Sequence, residues 1–336
     1  MELGQRKKDI LGAVINSYIK TGEPVGSKHV MDALDMAVSS ATIRNDMAVL
    51  EEQKLLYQPH TSAGRVPSPL GYKLYIEQVM KEYVLDDSEK EVIDNFIIEI
   101  GCNINEIAKK SINIISELTA CAAVAVTPTS GGTIQMFEAV IAGKHLIALL
   151  AISDLGQTKT KVIVTDAVPD SDSTLLLGKL LNLAFGGMSP DDIHEDKIAW
   201  LENEILEKCP DFYQLMPFFV EFINELKGYD VVVSGAEKIL SQPEFSDINK
   251  AKSFLSLLTK HSEIADTATK SEGIKVDVFP EHIADMSMIS SGVLIGKSNS
   301  ILCVFGPTRM DYAKVMAKLN YLSKGVSDFI KEKYLD

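Results

Sequence analysis

The 336-residue sequence has little cysteine, no long apolar run, no excess of positive charge and none of the short motifs that announce enzyme chemistry. Its four cysteines, Cys102, Cys121, Cys209 and Cys303, stand far apart with no C-x-x-C pair. That argues against a disulfide framework or a zinc ribbon, and buried thiols in a reducing compartment are expected. No apolar stretch approaches the roughly 18 residues that a membrane span needs. The start, MELGQRKKDILG, lacks the apolar core of a signal peptide. The expectation is a soluble, cytoplasmic protein with no membrane partner.

The missing catalytic motifs narrow the function further. No G-x-S-x-G, H-E-x-x-H, H-x-E…P-C-x-x-C or G-x-G-x-x-G occurs, so nucleophilic, deaminase and dinucleotide chemistry lack residues to carry them. GVLIGKS at 292–298 resembles a phosphate-binding loop, but three residues rather than four separate its glycines. The shorter loop cannot wrap a phosphate with successive backbone N–H groups and reads as a β-turn. The histidines, His29, His60, His145, His194, His261 and His282, show no paired spacing, and His194-Glu195-Asp196 reads as a solvated helix start rather than a metal site. No enzymatic activity, cofactor or metal is expected.

Charge is unevenly spread. The chain carries 33 Lys+Arg against 47 Asp+Glu, a net charge of −14, which opposes bulk adhesion to nucleic acid. Residues 1–80, however, hold 9 basic and 9 acidic side chains, leaving 24 and 38 for residues 81–336. All the excess negative charge lies in the second part. With 46% hydrophobic residues, the length supports two or three domains with real cores.

Within the neutral segment, Ile10, Leu11, Val14, Ile15, Tyr18 and Ile19 recur at helical spacing from Gln5 to Lys20. TGEPVGS breaks that helix, Ser27 is a good cap for a short second helix through Val30, Met31 and Leu34, and residues 34–38 form a turn. Ser39 or Ser40 caps a third helix whose Ile43, Met47 and Leu50 share one face. Ala41, Asn45, Ala48 and Glu52 then point the other way, with Thr42 and Arg44 on the flanks. Asn pairs bidentately with adenine and Arg with guanine, while Thr42 or Arg44 could equally hold phosphate. Taken alone, such a helix is as readily a solvated polar face on a core helix.

The residues that follow favour DNA. Leu55–Gln58 and Arg65-Val66 bracket PHTSAG, a turn in which Gly64 can take positive φ and whose tip presents His60, Thr61, Ser62 and Arg65. A hairpin directly after such a helix is a wing, and these groups suit phosphate or minor-groove contact. Pro67 and Pro69 end the hairpin and admit a helix through Gly71, Tyr72 and Tyr75. The candidate DNA-contact set is Ser39, Ser40, Thr42, Arg44, Asn45, His60, Thr61, Ser62 and Arg65.

VSSATIRNDMAVLEEQ, PHTSAGRVP and GYKLYIEQV resemble the N-terminal domain of the HrcA family of heat-inducible transcription repressors. VVSGAEKILSQPEF at 232–245 and LCVFGPTRMDYAKVM at 302–316 are similar to two further signatures of that family, so the resemblance spans nearly the whole chain. Ser68 and Lys73 stand where Thr and Arg are usual, and Lys54 replaces the usual glycine after the recognition helix. If that site needs left-handed geometry, Lys54 costs about 1 kcal/mol relative to glycine. DMSMIS at 285–290 departs from the pattern, so no ligand pocket carries over there.

Residues 81–118 read as a mostly helical connection with Val92, Ile93, Phe96, Ile97 and Ile100 on one side and Ile104, Ile107, Ile112 and Ile115 continuing beyond Gly101, a helix that can link domains or join a dimer. Strand-like runs follow at 120–126, 134–141, 145–152 and 159–168; their separators, PTSGG, AGK and SDLGQ, predict one antiparallel meander. From about residue 170 three helices succeed one another before strand character returns at Val231. Their apolar load, including Met216, Phe218, Phe219 and Phe222, needs a partner surface in the parent domain or a second subunit.

The expected architecture is therefore α+β and multidomain: a winged helix-turn-helix at 1–75, a helical linker at 76–118 and an α/β domain at 119–169 and 230–336 interrupted by a helical insertion at 170–229. The resemblance implies that the α/β domain is GAF-like and the insertion a dimerisation domain. It also implies a homodimer that represses heat-shock chaperone operons from an inverted-repeat operator in double-stranded DNA, with chaperonin assisting the repressor's folding. The alternative is a metabolite-sensing GAF-type regulator; an enzyme with an appended DNA-binding domain is disfavoured by the missing chemistry.

Overall fold

The computed structural model describes residues 3–34, 38–60, 63–100, 104–128, 132–154, 156–259, 264, 275–279, 286–295 and 298–335. Three helices, α1 (Gln5–Thr21), α2 (Ser27–Leu34) and α3 (Ser40–Glu52), precede a two-stranded antiparallel hairpin, β1 (Leu56–Tyr57) and β2 (Val66–Pro67). The expected apolar spacing of α1 is realised, since Ile10, Leu11, Val14 and Ile15 are fully buried. Ser39, in extended conformation, caps α3 by accepting from the Thr42 N–H at 3.2 Å. Ser27 does not stand before α2 as a cap but is its first residue, with Oγ 2.9 Å from Ser40 Oγ. Residues 35–37, within the expected turn, lie outside the described residues.

After α3 the chain turns through Lys54 at φ 60°, the left-handed geometry that makes glycine the comfortable residue there. Helix α4 (Pro69–Gln78) begins with Pro69 and is capped by Ser68. Helices α5 (Asp87–Glu99) and α6 (Ile104–Thr119) follow, the first opened by a reciprocal Asp86–Glu89 capping box.

Five antiparallel strands form the main sheet: β3 (Ala122–Pro128), β7 (Tyr229–Ser234), β8 (Lys275–Phe279), β9 (Met286–Ile295) and β10 (Ser298–Pro307), in the order β7-β3-β10-β9-β8. Period-two alternation divides β3 between two cores. Ala123 and Ala125 face one that includes α5, α6 and α12 (Tyr312–Ile330), while Ala122, Val124 and Val126 face another completed by α10 (Ala236–Leu240) and α11 (Ile248–Thr259). The register sets Ile295 opposite Ser298, so in GVLIGKS residues 292–295 end β9 and Ser298 opens β10, where a phosphate loop would need a helix. Gly296 and Lys297 lie outside the described residues.

A separate three-stranded sheet, β4 (Ile134–Gly143), β5 (Leu146–Ser153) and β6 (Thr158–Val164), packs on α7 (Ser171–Phe185), α8 (Glu195–Lys208) and α9 (Met216–Leu226) around Phe137, Phe185, Phe219 and Phe222. Two expectations are corrected here. The strands expected as one meander divide: β3 joins the main sheet and only β4–β6 form a meander, so the packing unit begins after β3 instead of at residue 170. Alternation tells which face of a strand is buried, not which sheet it joins. Secondly, α5 and α6 are no linker, because Ile93, Ile97, Ile107, Ile112 and Ile115 are buried in the same core as α12. Lys318 on α12 also donates to the Leu118 carbonyl and pairs with Glu89.

The N-terminal unit shares that core. Tyr72 of α4 meets Tyr312 of α12 with ring centroids 5.7 Å apart, and the Tyr75 hydroxyl donates to Asn16 of α1 at 2.7 Å. Gly235 opens α10 at φ 70°, and a Cβ there would lie 1.9 Å from Ser116 Oγ, so both conformation and contact require glycine. Cys121, Cys209 and Cys303 are buried, and burial pushes the Cys121 thiol up to about 11; Cys102 lies outside the described residues. No helix among the described residues is long and apolar enough to cross a membrane.

Replacing Lys54 by glycine should raise stability by about 1 kcal/mol, seen as a higher denaturant midpoint with unchanged slope. An unchanged or lower midpoint would show that the left-handed position carries no strain.

Candidate nucleic-acid interface

Helix α3 is held from within. Ile43, Met47 and Leu50 are buried, each contributing about 2 kcal/mol by removal from water. Asp46 lies on the same inner side, only 6% exposed, and accepts from Arg6 Nε at 2.7 Å and Nη2 at 3.1 Å. The apolar contacts hold the helix against the core, and this forked bond, planar and directional, fixes its rotation relative to α1. Its acceptor pushes the Arg6 pKa further up. Sequence reasoning did not single out Asp46, although a signal existed: an acid at helical spacing from Ile43 and Leu50 sits on a core face and needs a cation.

With the inner face fixed, Ala41, Arg44, Asn45 and Glu52 are exposed outward. Arg44 and Asn45 are adjacent and exposed on that face. The hydroxyls serve the helix start: Ser39 caps it, Thr42 Oγ1 lies 3.0 Å from Ser39 Oγ, and Ser40 meets Ser27. Ser39 is exposed, while Ser40 and Thr42 are half-buried.

The hairpin beside α3 pairs Leu56 with Pro67 and Tyr57 with Val66. His60 is exposed at its far end, where the Ala63 N–H donates to the His60 carbonyl at 2.8 Å. Thr61 and Ser62, expected at the tip, lie outside the described residues. Gly64 is not in the left-handed region; it is required by a close approach, since a Cβ would lie 2.4 Å from the Val25 carbonyl carbon.

Arg65 differs from expectation. Its main chain pairs with Val25 through two bonds of 2.9 Å, and its side chain, 17% exposed, turns back to Glu51 of α3, with Nη2 to Oε2 at 2.8 Å. It does not extend from the tip. A cavity of about 360 Å³ lies between α3, the hairpin and the segment before α2, with Arg44, Met47, Gln58 and Arg65 among its lining residues.

The two distant motifs, 232–245 and 302–316, meet in space. Arg309, between β10 and α12, forms an ion pair with Glu244, its Nη2 lying 3.3 Å from Oε2. Tyr312 bonds Ser287 at 2.7 Å and packs on Tyr72. Tyr312 thereby joins the main sheet to the N-terminal unit. Among the described residues no group of His, Cys, Asp and Glu has the arrangement to hold a metal, and His194 stands directly before α8.

Residues 105–316 match the family model of the HrcA protein C terminal domain. The heat-inducible transcription repressor HrcA of Clostridioides difficile strain 630 is 36% identical, with 96% of this chain and 98% of that protein covered. The protein of the same name from Carboxydothermus hydrogenoformans is 31% identical over 98% and 99%, and that from Thermoanaerobacter pseudethanolicus 33% over 100% and 99%. A crystal structure of a hypothetical protein shares the fold across 98% of this chain and 99% of its own, with a TM-score of 0.63 at 20% identity. A full-length relationship of this strength, together with motifs that meet in the core, makes the chain a member of the HrcA family of heat-inducible transcription repressors.

Proposed function

We propose that the chain is a homodimeric repressor whose N-terminal unit is a winged helix-turn-helix that binds double-stranded DNA. The observation that carries this reading is the outward pairing of Arg44 and Asn45 on a helix whose other face is locked by Ile43, Met47, Leu50 and the Arg6–Asp46 bond. Arg44 and Asn45 read base edges in the major groove, and Ser39, Ser40 and Thr42 meet phosphate at the helix start. His60, with Thr61 and Ser62, contacts the backbone or minor groove from the wing.

The main sheet and its helices form the GAF-like domain, and β4–β6 with α7–α9 the inserted dimerisation domain. Support for this dimer comes from the sheet itself. Its inner face holds Phe137, Leu149 and Ile163 against the helices, while the register puts Val140, Ala148 and Val162 together on the other side. Val140 is 49% exposed and Val162 56%. A self-complementary contact across that face gives a two-fold dimer, which matches an inverted-repeat operator. The same apolar face, uncovered whenever folding or pairing is incomplete, suits capture by chaperonin, so the active fraction follows folding conditions in the cytoplasm. The regulated genes are heat-shock chaperone operons.

The metabolite-sensing alternative has one observation behind it. A cavity of about 330 Å³ lies between the two sheets, with Ile134, Ala151, Lys159, Leu226 and Asp230 among its lining residues. A compound that raises the melting temperature and also alters operator affinity would favour that reading.

Asn45→Ala and Arg44→Ala should each weaken operator binding by about 1 to 3 kcal/mol and relax discrimination at the base pair each one reads. Wild-type affinity and specificity in both variants, measured by titration on operator and mutated duplexes, would refute the assignment of α3. Heating the purified protein should abolish operator binding until chaperonin and ATP are supplied; full binding after heating without chaperonin contradicts the proposed control.

A further inference from the structure

Arg65 is a candidate DNA contact whose guanidinium the fold turns inward. Its guanidinium bonds Glu51 in the last turn of α3, its Nε is enclosed with no hydrogen-bond partner among the described residues, and its main chain is paired on both sides with Val25 ahead of α2. A phosphate contact from a wing would instead project an exposed guanidinium. Glu51 adds a second reason: a carboxylate beside the DNA-facing side of α3 repels the backbone unless a cation is held against it.

We infer that Arg65 and Glu51 form a clamp that sets the wing relative to the recognition helix, making Arg65 a positioning residue for operator recognition rather than a DNA contact. The inference rests on the DNA-binding reading given above. The hairpin has two residues in each strand and only two cross-strand pairs, too little to fix its own angle to α3. Two links supply what the ladder lacks. Val25 ties the root of the wing to the segment before α2, and Glu51 ties it to α3, beside the cavity that Arg65 lines. Because Arg44 lines that cavity as well, the spacing between base-reading helix and wing is set at the point where both would meet the duplex.

The test compares full-length wild type with Arg65→Met, Glu51→Gln and the double variant. The duplexes are one carrying the sequence that the wild type protects and an unrelated one of equal length, both titrated over a range of salt. Amide exchange is followed without DNA. A clamp predicts that each single change lowers the ratio of specific to non-specific affinity by about tenfold and that the double variant is no worse than either. It also predicts an unchanged salt slope and faster exchange at the Val25 and Arg65 amides in both single variants.

A phosphate contact predicts the reverse: Glu51→Gln binds as tightly or more tightly, and Arg65→Met lowers the salt slope by about 1 per protomer. That result, or unaltered exchange at both amides, overturns the inference. If the wild type prefers no duplex, the DNA-binding reading falls, and amide exchange alone decides whether the clamp exists.

Discussion

The side chains of Ile43, Met47 and Leu50 are withdrawn from water beneath α3, and what the outer face of that helix can do depends on this burial. A helix with a polar side toward solvent gains little from its own hydrogen bonds; its place is set by the apolar stripe it buries. Here the stripe alone would leave rotation loosely specified. The Arg6–Asp46 fork removes that freedom, at the cost of enclosing a carboxylate that would be expensive without its partner. The outward direction of Arg44 and Asn45 is thus a consequence of contacts made on the opposite side.

The same logic extends into the body of the protein. Helix α4 carries Tyr72 onto Tyr312, and Tyr312 is anchored by Ser287 in β9. The unit bearing α3 is therefore built onto the main sheet, and residues in the 302–316 motif contribute to its seat. That gives a physical meaning to a motif with no chemical group to spare: Gly306, Arg309 and Tyr312 are packing, pairing and anchoring residues. At Gly306, for instance, a Cβ would be a tight fit, 3.0 Å from both the Cys121 and Met310 sulfurs.

Local features were legible in the sequence. The extent of α1, the cap at Ser39, the inner face of α3 and the left-handed turn at Lys54 each depend on residues within a few positions of one another. What escaped depends on distant partners. The alternation of residues 122–126 defines a strand with two buried faces, but only its pairing with β7 and β10 assigns it to the main sheet. Arg65 looked like a wing-tip cation because Glu51 and Val25, which hold it, lie 14 and 40 residues earlier in the chain. Asp46 was passed over for a similar reason, its cation lying 40 residues away on α1.

The balanced charge of the first 80 residues gives a single N-terminal unit little long-range attraction for DNA, and in the proposed repressor the affinity comes from two units held in register. The most direct measurement is a nuclease footprint on the DNA upstream of the chain's own gene, made with wild type and with Val162→Glu. The account predicts two symmetry-related half-sites protected together by the wild type, and loss of both in the variant at concentrations where the wild type saturates. A single asymmetric footprint, or undiminished protection by Val162→Glu, would contradict it.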